Sequence, residues 1–293
     1  MSLRPVAGII AAVAVAAATF GGAGCDQASQ RGGDPAPATA TPSAAVTRSG
    51  QQVPVGVVGS PSASASPQVR PLAGKIIGID PGHNGGNFAD PDFINKLVWN
   101  GREEETCDTT GTQTAGGYTE AQFNFNVAMD LRADLVAAGA RVVLTRHSND
   151  GVGPCVTTRT QIINAAHASV AIDIHADGGP VTGRGFTVLE PEADGPNDKV
   201  ITPSLRFGAD VRAAMLRLTR MPVSDYYGHD GLIRRDDLAG LNLTTVPKVL
   251  IECGNMPNAT DARMLVSATF QQAVARALTA AIVAFLSGAT IPS

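Results

Sequence analysis

The stretch 75–86, which reads KIIGIDPGHNGG, constrains the fold of this chain more than any other feature. Its isoleucines form the short apolar run that is typical of a buried strand, and the Pro-Gly pair ends that strand abruptly. His83 therefore follows the carboxyl end of a strand, on a loop that is rich in glycine. In an open α/β sheet, ligands and catalytic groups collect at this edge. The stretch thus predicts a strand followed by a loop whose histidine can serve as a metal ligand or a base.

The composition allows a packed core and argues against two classes of partner. Of the 293 residues, 44% are hydrophobic and 16% are charged, which is enough apolar material for one large domain or two small ones. The net charge of −4 gives no general attraction to nucleic acid or anionic lipid, and aromatic residues make up only 4%. We therefore expect neither a nucleic-acid-binding protein nor a membrane-surface protein.

The N-terminal segment has the pattern of an export signal. Arg4 precedes an almost wholly apolar run, 6–18, and small residues follow, so residues 1–25 are predicted to be a signal peptide. Cys25 follows Gly-Ala-Gly in a sequence that resembles a bacterial lipoprotein box, although a glycine replaces the usual leucine. Lipidation of Cys25 and simple cleavage with secretion both remain open. Either outcome predicts an exported protein of the periplasm, cell wall or extracellular space, and lipidation of Cys25 would anchor that protein to the membrane.

The next segment, 26–72, is dominated by Ala, Pro, Ser, Thr, Gly and Gln, and it has few large apolar residues. Such a segment cannot bury enough surface to offset the entropy of ordering it, so it is predicted to be a disordered tether. One catalytic domain is then predicted over residues 73–290.

Strands and helices alternate through that domain, which predicts a single-domain α/β fold with a mostly parallel, twisted sheet flanked by helices. Polar loops are expected at 87–117 and 225–241; Arg234 and Arg235 in the latter could contact an anionic ligand or form a solvated charge pair. The expected strands lie near residues 76–80, 141–145, 170–174, 185–189 and 247–251. One expected helix begins after the capping residue Thr119, with Gln122 completing a capping box, and its apolar stripe is Phe123, Val127, Leu131 and Leu135. Two more helices are expected at about 158–168 and 204–220, the latter with Leu218 among its inward side chains. The last expected helix carries Phe270, Val274, Leu278, Ile282 and Phe285 along one face.

Four candidate site residues stand at the same edge of this predicted sheet. His83, His175 and Glu252 each follow or end a strand, and Glu120 begins a helix. Two histidines and one carboxylate fit the three-ligand pattern of a catalytic zinc site, in which the remaining carboxylate can act as a base. The residues alone do not decide which of the two glutamates is the ligand. The alternative is that all four residues have separate structural roles.

The cysteines predict one disulfide. Cys107 and Cys155 lie in polar loops of an exported chain, and we expect these two to pair. Cys253 ends an apolar strand and is expected to remain a buried thiol.

Six motifs give this chain a resemblance to the zinc-dependent N-acetylmuramoyl-L-alanine amidases of the amidase 3 family. In chain order they are IDPGHNGG at 79–86, YTE at 118–120, Thr145-Arg146 followed by Asp150, Arg159 ahead of Asn164-Ala165, DIHAD at 173–177, and VPKVLIECG at 246–254. The resemblance implies that His83, Glu120 and His175 bind one Zn²⁺ per chain and that Glu252 is the catalytic base. The chain departs from the family pattern at Asp173, Asp177 and Asn255, which bears on substrate preference.

The resemblance further implies hydrolysis of the amide that joins N-acetylmuramic acid to L-alanine in peptidoglycan or its fragments. A zinc carboxypeptidase or endopeptidase that acts on the stem peptide, and a non-catalytic wall-binding activator, are the alternatives. Some family members carry a blocking helix after the second histidine. Here the interval between His175 and Ser204 is interrupted by glycines and prolines, so we expect an open cleft and an enzyme that requires no protein activator. We also expect the protein to be a monomer.

Overall fold

The computed structural model describes residues 70–291, which form an α/β domain with one six-stranded sheet and a separate two-stranded hairpin. The strands are β1 (Ile76–Pro81), β2 (Leu97–Trp99), β3 (Glu104–Thr106), β4 (Arg141–Leu144), β5 (Val170–Asp177), β6 (Thr187–Pro191), β7 (Leu232–Arg235) and β8 (Lys248–Asn255). The helices are α1 (Pro91–Ile94), α2 (Glu120–Ala137), α3 (Val156–Ala165), α4 (Ile201–Leu218), α5 (Ala239–Asn242), α6 (Ala259–Leu265) and α7 (Ala268–Ser287).

The sheet has the order β4-β1-β5-β8-β6-β7. β4, β1, β5 and β8 are parallel, whereas β6 runs antiparallel to β8 and pairs in parallel with β7. The predicted fold class, an α/β domain with a mostly parallel sheet flanked by helices, is therefore confirmed. Because β1, β5 and β8 are adjacent and parallel, their carboxyl ends share one edge.

Alternation along β5 divides its side chains between two packing layers, as expected for a sheet covered on both faces. Ile172 and Ile174 belong to the main core with α2, α4 and α7, whereas Ala171 packs against Ile163 of α3. The second face also carries the polar side chain of Asp173, and this face forms the floor of the site described below.

The long helices follow their apolar periodicity. The predicted α2 stripe of Phe123, Val127, Leu131 and Leu135 is buried in the main core, and so is the predicted stripe of α7. α7 is long and apolar enough to cross a membrane by length and composition, but it packs here against α2 and α4. Its apolar character is therefore accounted for by the core of the domain.

The start of α2 fixes the position of a candidate site residue. The Thr119 side chain accepts a hydrogen bond from the Gln122 backbone N–H at 3.3 Å, which is the predicted cap. The reciprocal half of the predicted capping box is absent, because the Gln122 side chain bonds to Asn126 and Asn149 instead. Glu120 is thereby the first residue of the helix, where the positive end of the helix dipole favours a carboxylate.

Two segments that the sequence predicted to be loops contain regular structure. Segment 87–117 contains a short 3-10 turn, α1 and the β2–β3 hairpin, and segment 225–241 contains β7 and the start of α5. Each element has only three or four residues, and polar residues make up much of β3 and β7, so no apolar period marks them in the sequence. α6 was also missed, and the predicted inward side chain of Leu218 in α4 is 44% exposed.

The cysteine predictions have a clear structural outcome. Cys107 and Cys155 form a disulfide across a sequence separation of 48, and Cys253 is a buried free thiol. Cys155 directly precedes α3, so the disulfide joins the end of the hairpin segment to the start of that helix.

The predictions for the signal peptide, for lipidation of Cys25 and for most of the tether lie outside the described residues. Leu72, which the sequence assigned to the end of the tether, is fully buried in the main core, and its backbone N–H bonds to the Ala138 carbonyl. Between β5 and α4, the described chain contains β6 and one three-residue 3-10 turn, Asp198–Val200, but no long helix.

Candidate active site

The structure brings His83, Glu120 and His175 together at the carboxyl edge of the sheet. One oxygen of Glu120, Oε1, lies 3.1 Å from His83 Nε2 and 2.9 Å from His175 Nδ1. The three candidate ligand atoms, one from each residue, all lie within 4.8 Å of one another. Two imidazole nitrogens and one carboxylate oxygen directed at the same small volume fit the donor set of a catalytic zinc site. Metal binding by these residues stays a prediction.

The backbone allows this close approach at two unusual positions. His83 has a φ of +58°, a left-handed conformation that is uncommon for a residue other than glycine and that turns the chain sharply after β1. Gly82 packs directly under the His175 ring, and a Cβ atom at this position would overlap that ring. The glycine-rich turn is thus required so that the β1 loop can pass beside the β5 histidine.

The second nitrogen of His83 is held by groups that leave Nε2 directed at Glu120. Nδ1 lies 3.2 Å from the Thr109 carbonyl oxygen, 3.1 Å from Thr109 Oγ1 and 3.5 Å from Asp108 Oδ1. An imidazole that donates one N–H to a carbonyl or carboxylate is fixed in the tautomer that presents its other nitrogen to a metal. Asp108 and Thr109 were not predicted as site residues, because their only signal in the sequence is their position directly after Cys107.

A buried guanidinium organises the loop that carries His83. Arg159 of α3 forms ion pairs with Asp80 at 2.9 Å and Asp108 at 3.0 Å, and it donates to the carbonyls of Pro81, His83 and Pro154. Arg159 is only 2% exposed. Burial alone would raise the pKa of Asp108, but His83 and Arg159 outweigh it and lower that pKa to about 2. The network therefore remains ionised and holds the loop by several charge-assisted hydrogen bonds.

The charges of the three candidate ligands favour a bound cation. Burial alone would raise the pKa of Glu120, but His83 and His175 hold it well below its usual value. Burial alone would lower the pKa of His83, but Glu120 and Asp108 raise it to about 10. Both shifts have the same cause, which is the attraction between a buried carboxylate and positive charge beside it. A divalent cation would satisfy that attraction in place of protons.

Glu252 lies beside this triad but has a different environment. It is opposite His175 in the β5–β8 register, and its Oε2 atom is buried without a hydrogen-bond partner among residues 70–291. Burial raises the pKa of Glu252 well above its ordinary value, and the carboxylates of Glu120 and Asp177 add to the shift. A carboxylate in this position is suited to accept and release a proton.

These residues line one cleft of about 580 Å³ on the α3 face of the sheet. Its lining includes the apolar side chains of Leu189, Leu238 and Leu250, together with Tyr226, Tyr227 and Arg235. Arg235 is paired with Asp237 and donates to the Tyr227 hydroxyl, so its charge is largely matched within the protein. The two tyrosines were not predicted as site residues, because half-buried aromatic residues in a loop have no periodic pattern.

The three departures from the family pattern each have a structural partner. Asp173 forms a buried ion pair with Lys248 at 2.9 Å, and burial, partly opposed by Lys248, raises its pKa to about 6. Asp177 accepts a hydrogen bond from the Tyr226 hydroxyl at 2.7 Å. Asn255 donates to the carbonyls of Pro180 and Gly183 at 2.7 Å each. The last two changes therefore shape the loop beside Glu252.

Comparison with known proteins identifies the family. The profile of the Amidase_3 family, described as N-acetylmuramoyl-L-alanine amidase, matches residues 77–284. The chain is 40% identical over 227 residues to the N-acetylmuramoyl-L-alanine amidase Rv3717 of Mycobacterium tuberculosis, covering 77% of this chain and 91% of that protein.

Two crystal structures are similar over nearly their whole length. The N-acetylmuramyl-L-alanine amidase Ami1 from Mycobacterium smegmatis has a TM-score of 0.70 and 38% identity, over 74% of this chain and 99% of that chain. The apo form of Ami1 from Mycobacterium abscessus has a TM-score of 0.69 and 40% identity, over 73% of this chain and 100% of that chain. With the His-Glu-His triad and Glu252 at the shared strand edge, these similarities show that the chain belongs to the N-acetylmuramoyl-L-alanine amidase family.

Proposed function

We propose that this protein is a zinc-dependent amidase that hydrolyses the bond between the lactyl group of N-acetylmuramic acid and the L-alanine of the stem peptide. The observation that carries the proposal is the convergence of three candidate ligand atoms within 4.8 Å, beside the Glu252 carboxylate oxygen that has no hydrogen-bond partner among residues 70–291. Membership of the amidase family supports a hydrolase that acts on amide bonds. The donor set of two histidines and one glutamate supports zinc as the metal.

Each site residue has a defined part in the proposed reaction. His83, Glu120 and His175 hold the metal, which when bound supplies Lewis-acid polarisation of the scissile carbonyl and activation of water. Glu252 takes the proton from the attacking water and passes it to the leaving nitrogen. Its Oε2 has no competing partner in the described part of the chain, and its raised pKa favours holding the proton between these two transfers.

The proposal is tested by analysing the products that the purified protein, loaded with zinc, releases from muropeptides. Amidase activity yields a sugar with a free lactyl carboxylate and an intact stem peptide that begins with L-alanine, and mass spectrometry identifies both. Shortened stem peptides still attached to the sugar would instead identify a carboxypeptidase or endopeptidase. If zinc binds stoichiometrically but no bond is cleaved, a non-catalytic wall-binding role replaces the proposal.

We propose further that the enzyme is exported, that it acts in cell-wall remodelling or recycling, and that it is a monomer that needs no protein activator. The short β6-containing connection between β5 and α4 supports activator independence, because it contains no helix long enough to lie across the site. Turnover by the purified protein with zinc as the only addition is the expected result. Activity that appears only after a partner protein is added would reject this part of the proposal.

A further inference from the structure

A tyrosine lies beyond Glu252 along the carboxyl edge of the sheet. In the order β1, β5, β8, β6, the edge carries His83, His175 and Glu252 in succession. Tyr226 follows on the same side, because the chain just before it pairs with the start of β6: the Ser224 N–H bonds to the Phe186 carbonyl at 2.8 Å. Tyr226 and Asp177 both line the cleft with Glu252.

The tyrosine ring is held in a fixed position. It packs against Gly179 and Gly183, and a Cβ atom at either glycine would overlap the ring. The loop that carries these glycines is itself fixed by Asn255, whose amide donates to two of its carbonyls. Asn258 adds a third such bond, to the Val181 carbonyl at 3.0 Å. The position of the Tyr226 hydroxyl is therefore determined by the protein before any substrate arrives.

The hydrogen-bond chemistry of this hydroxyl is also determined. A tyrosine has one O–H hydrogen, and Tyr226 donates it to Asp177 Oδ2 at 2.7 Å. The other oxygen of Asp177 accepts from the Gly178 N–H at 2.7 Å. Among residues 70–291 the Tyr226 hydroxyl has no second hydrogen-bond partner. Its oxygen can therefore only accept a hydrogen bond from a molecule in the cleft.

We propose that the Tyr226 hydroxyl, held by Asp177, accepts a hydrogen bond from the first peptide N–H beyond the scissile amide, and thereby selects a peptide as the leaving group. This inference rests on the proposed function. Glu252 must reach the leaving nitrogen, so the peptide half of the substrate extends on the Glu252 side of the site. The amide between L-alanine and the second stem residue then follows in the direction of Tyr226. Tyr226 is in this view a specificity-determining residue that takes no part in proton transfer.

The test compares two substrates that differ at one atom. One is N-acetylmuramoyl-L-alanyl-D-isoglutamine, and the other has an ester oxygen in place of the N–H between its two stem residues. With the ester substrate, the Tyr226 hydroxyl has no N–H from which to accept a hydrogen bond. Its oxygen then faces the ester oxygen, which is also an acceptor. We expect it to prefer the amide by about tenfold in kcat/KM, mainly through KM.

Two variants and a control assign this preference to the hydroxyl. Tyr226→Phe is expected to abolish the discrimination, and Asp177→Asn to weaken it, because a carboxamide can donate to the tyrosine and free its hydrogen. Tyr118→Phe removes a hydroxyl that bonds Asn126 and Gln271 outside the cleft, and should keep the wild-type ratio. Calorimetric binding of both uncleaved substrates to Glu252→Gln, with and without Tyr226→Phe, gives the same comparison without turnover.

The outcomes separate the two proposals. If the wild-type protein cleaves the amide substrate and Tyr226→Phe retains the full tenfold discrimination, the role of Tyr226 is rejected while the amidase function stands. The same holds if Asp177→Asn discriminates as strongly as the wild type. If the zinc-loaded wild-type protein cleaves neither substrate and binds neither, the proposed function is rejected, and the inference about Tyr226 is rejected with it.

Discussion

The two sides of the cleft differ in how completely their polar atoms are paired. On the His83 side, Arg159 makes hydrogen bonds to five different residues, and both ring nitrogens of His83 have protein partners. On the Glu252 side, a carboxylate oxygen has no partner in the described residues, and Tyr226 uses only its single hydrogen. We call the His83 side saturated, because its polar atoms are paired within the protein and hold one another in place. We call the Glu252 side unsaturated, because its polar atoms can still form hydrogen bonds with water and substrate.

Along one strand edge, the candidate metal ligands are thus separated from the proposed catalytic base. Burying polar groups whose hydrogen bonds are all formed costs little free energy, because each donor has an acceptor. Such groups also restrict the candidate ligands to one geometry. An unsaturated buried carboxylate is unfavourable in the resting protein, and such groups are common at catalytic positions because they exchange protons readily. Substitutions on the two sides should therefore have different consequences.

The largest effects are expected from Glu252→Gln and His175→Ala, which should differ in whether the metal is lost together with turnover. Glu252→Gln should lower kcat by roughly 10²–10⁴-fold, because the base is lost while all three candidate ligands remain. His175→Ala should abolish turnover and also release the metal, because two remaining ligands hold zinc poorly. Steady-state kinetics and metal analysis of both purified variants measure this. Loss of zinc from Glu252→Gln, or stoichiometric zinc in His175→Ala, would show that the two sides have been assigned incorrectly.

A substitution on the saturated side should mainly lower the stability of the folded protein. Arg159→Met leaves Asp80 and Asp108 buried without their cation, which should lower the free energy of unfolding by about 3–5 kcal/mol. Arg141→Met, at an exposed arginine at the start of β4, is the matched control and should change it little. Chemical denaturation measures both.

The milder variant Asp108→Asn keeps the size of the side chain but removes the charge that faces His83 Nδ1. It should lower zinc affinity by about 10–100-fold in a competition titration, since outer partners of metal-binding histidines have effects of this size. Unchanged stability of Arg159→Met together with unchanged zinc affinity of Asp108→Asn would mean that the network does not support the site.

The next largest effect on stability is expected from the disulfide between Cys107 and Cys155. Replacing both Cys107 and Cys155 by serine removes a constraint on the unfolded chain and should lower the free energy of unfolding by about 2–4 kcal/mol. Cys253→Ser changes a buried free thiol and controls for the cysteine-to-serine exchange itself. Equal stability of the oxidised wild type and the double variant in urea would contradict the prediction.

The smallest effect concerns pH and lies away from both sides of the cleft. Glu190 of β6 is 7% exposed, and burial, only partly opposed by Arg234, raises its pKa from 4.5 to about 7. Between these two values the unfolded chain loses the proton while the folded chain keeps it, so stability should fall as the pH rises from about 4.5 to 7. Asp173 and Glu252 also have raised pKa values, so Glu190→Gln should reduce this slope without removing it, and it should gain about 1–3 kcal/mol at pH 8.

The exposed neighbour Glu192 provides the control for Glu190. Urea unfolding at pH 5 and pH 8 should show the same slope in Glu192→Gln as in the wild type. A slope in Glu190→Gln equal to that of the wild type would mean that Glu190 does not contribute to it.

The sequence predicted the candidate ligands and the candidate base better than it predicted the groups that hold or surround them. His83, Glu120, His175 and Glu252 were found because strand ends and helix starts share an edge, and long apolar periods mark those elements. Asp108 and Tyr226 were missed because their positions depend on contacts between segments distant in sequence. Apolar periodicity also does not reveal the β2–β3 hairpin, because antiparallel strand pairing and the neighbouring disulfide hold this hairpin in place.

The position of the disulfide ties the assembly of the site to the redox state of its surroundings. Cys107 is adjacent to Asp108, and Cys155 lies four residues before Arg159, so one covalent bond joins the two segments that orient His83. A chain kept reduced must bring these segments together without that constraint, and we expect it to retain zinc less well at the same free zinc concentration. Equal retention by the reduced and oxidised protein would argue against this. If the enzyme is exported as proposed, the bond would then favour maturation in an oxidising compartment, after the chain has left the cell interior.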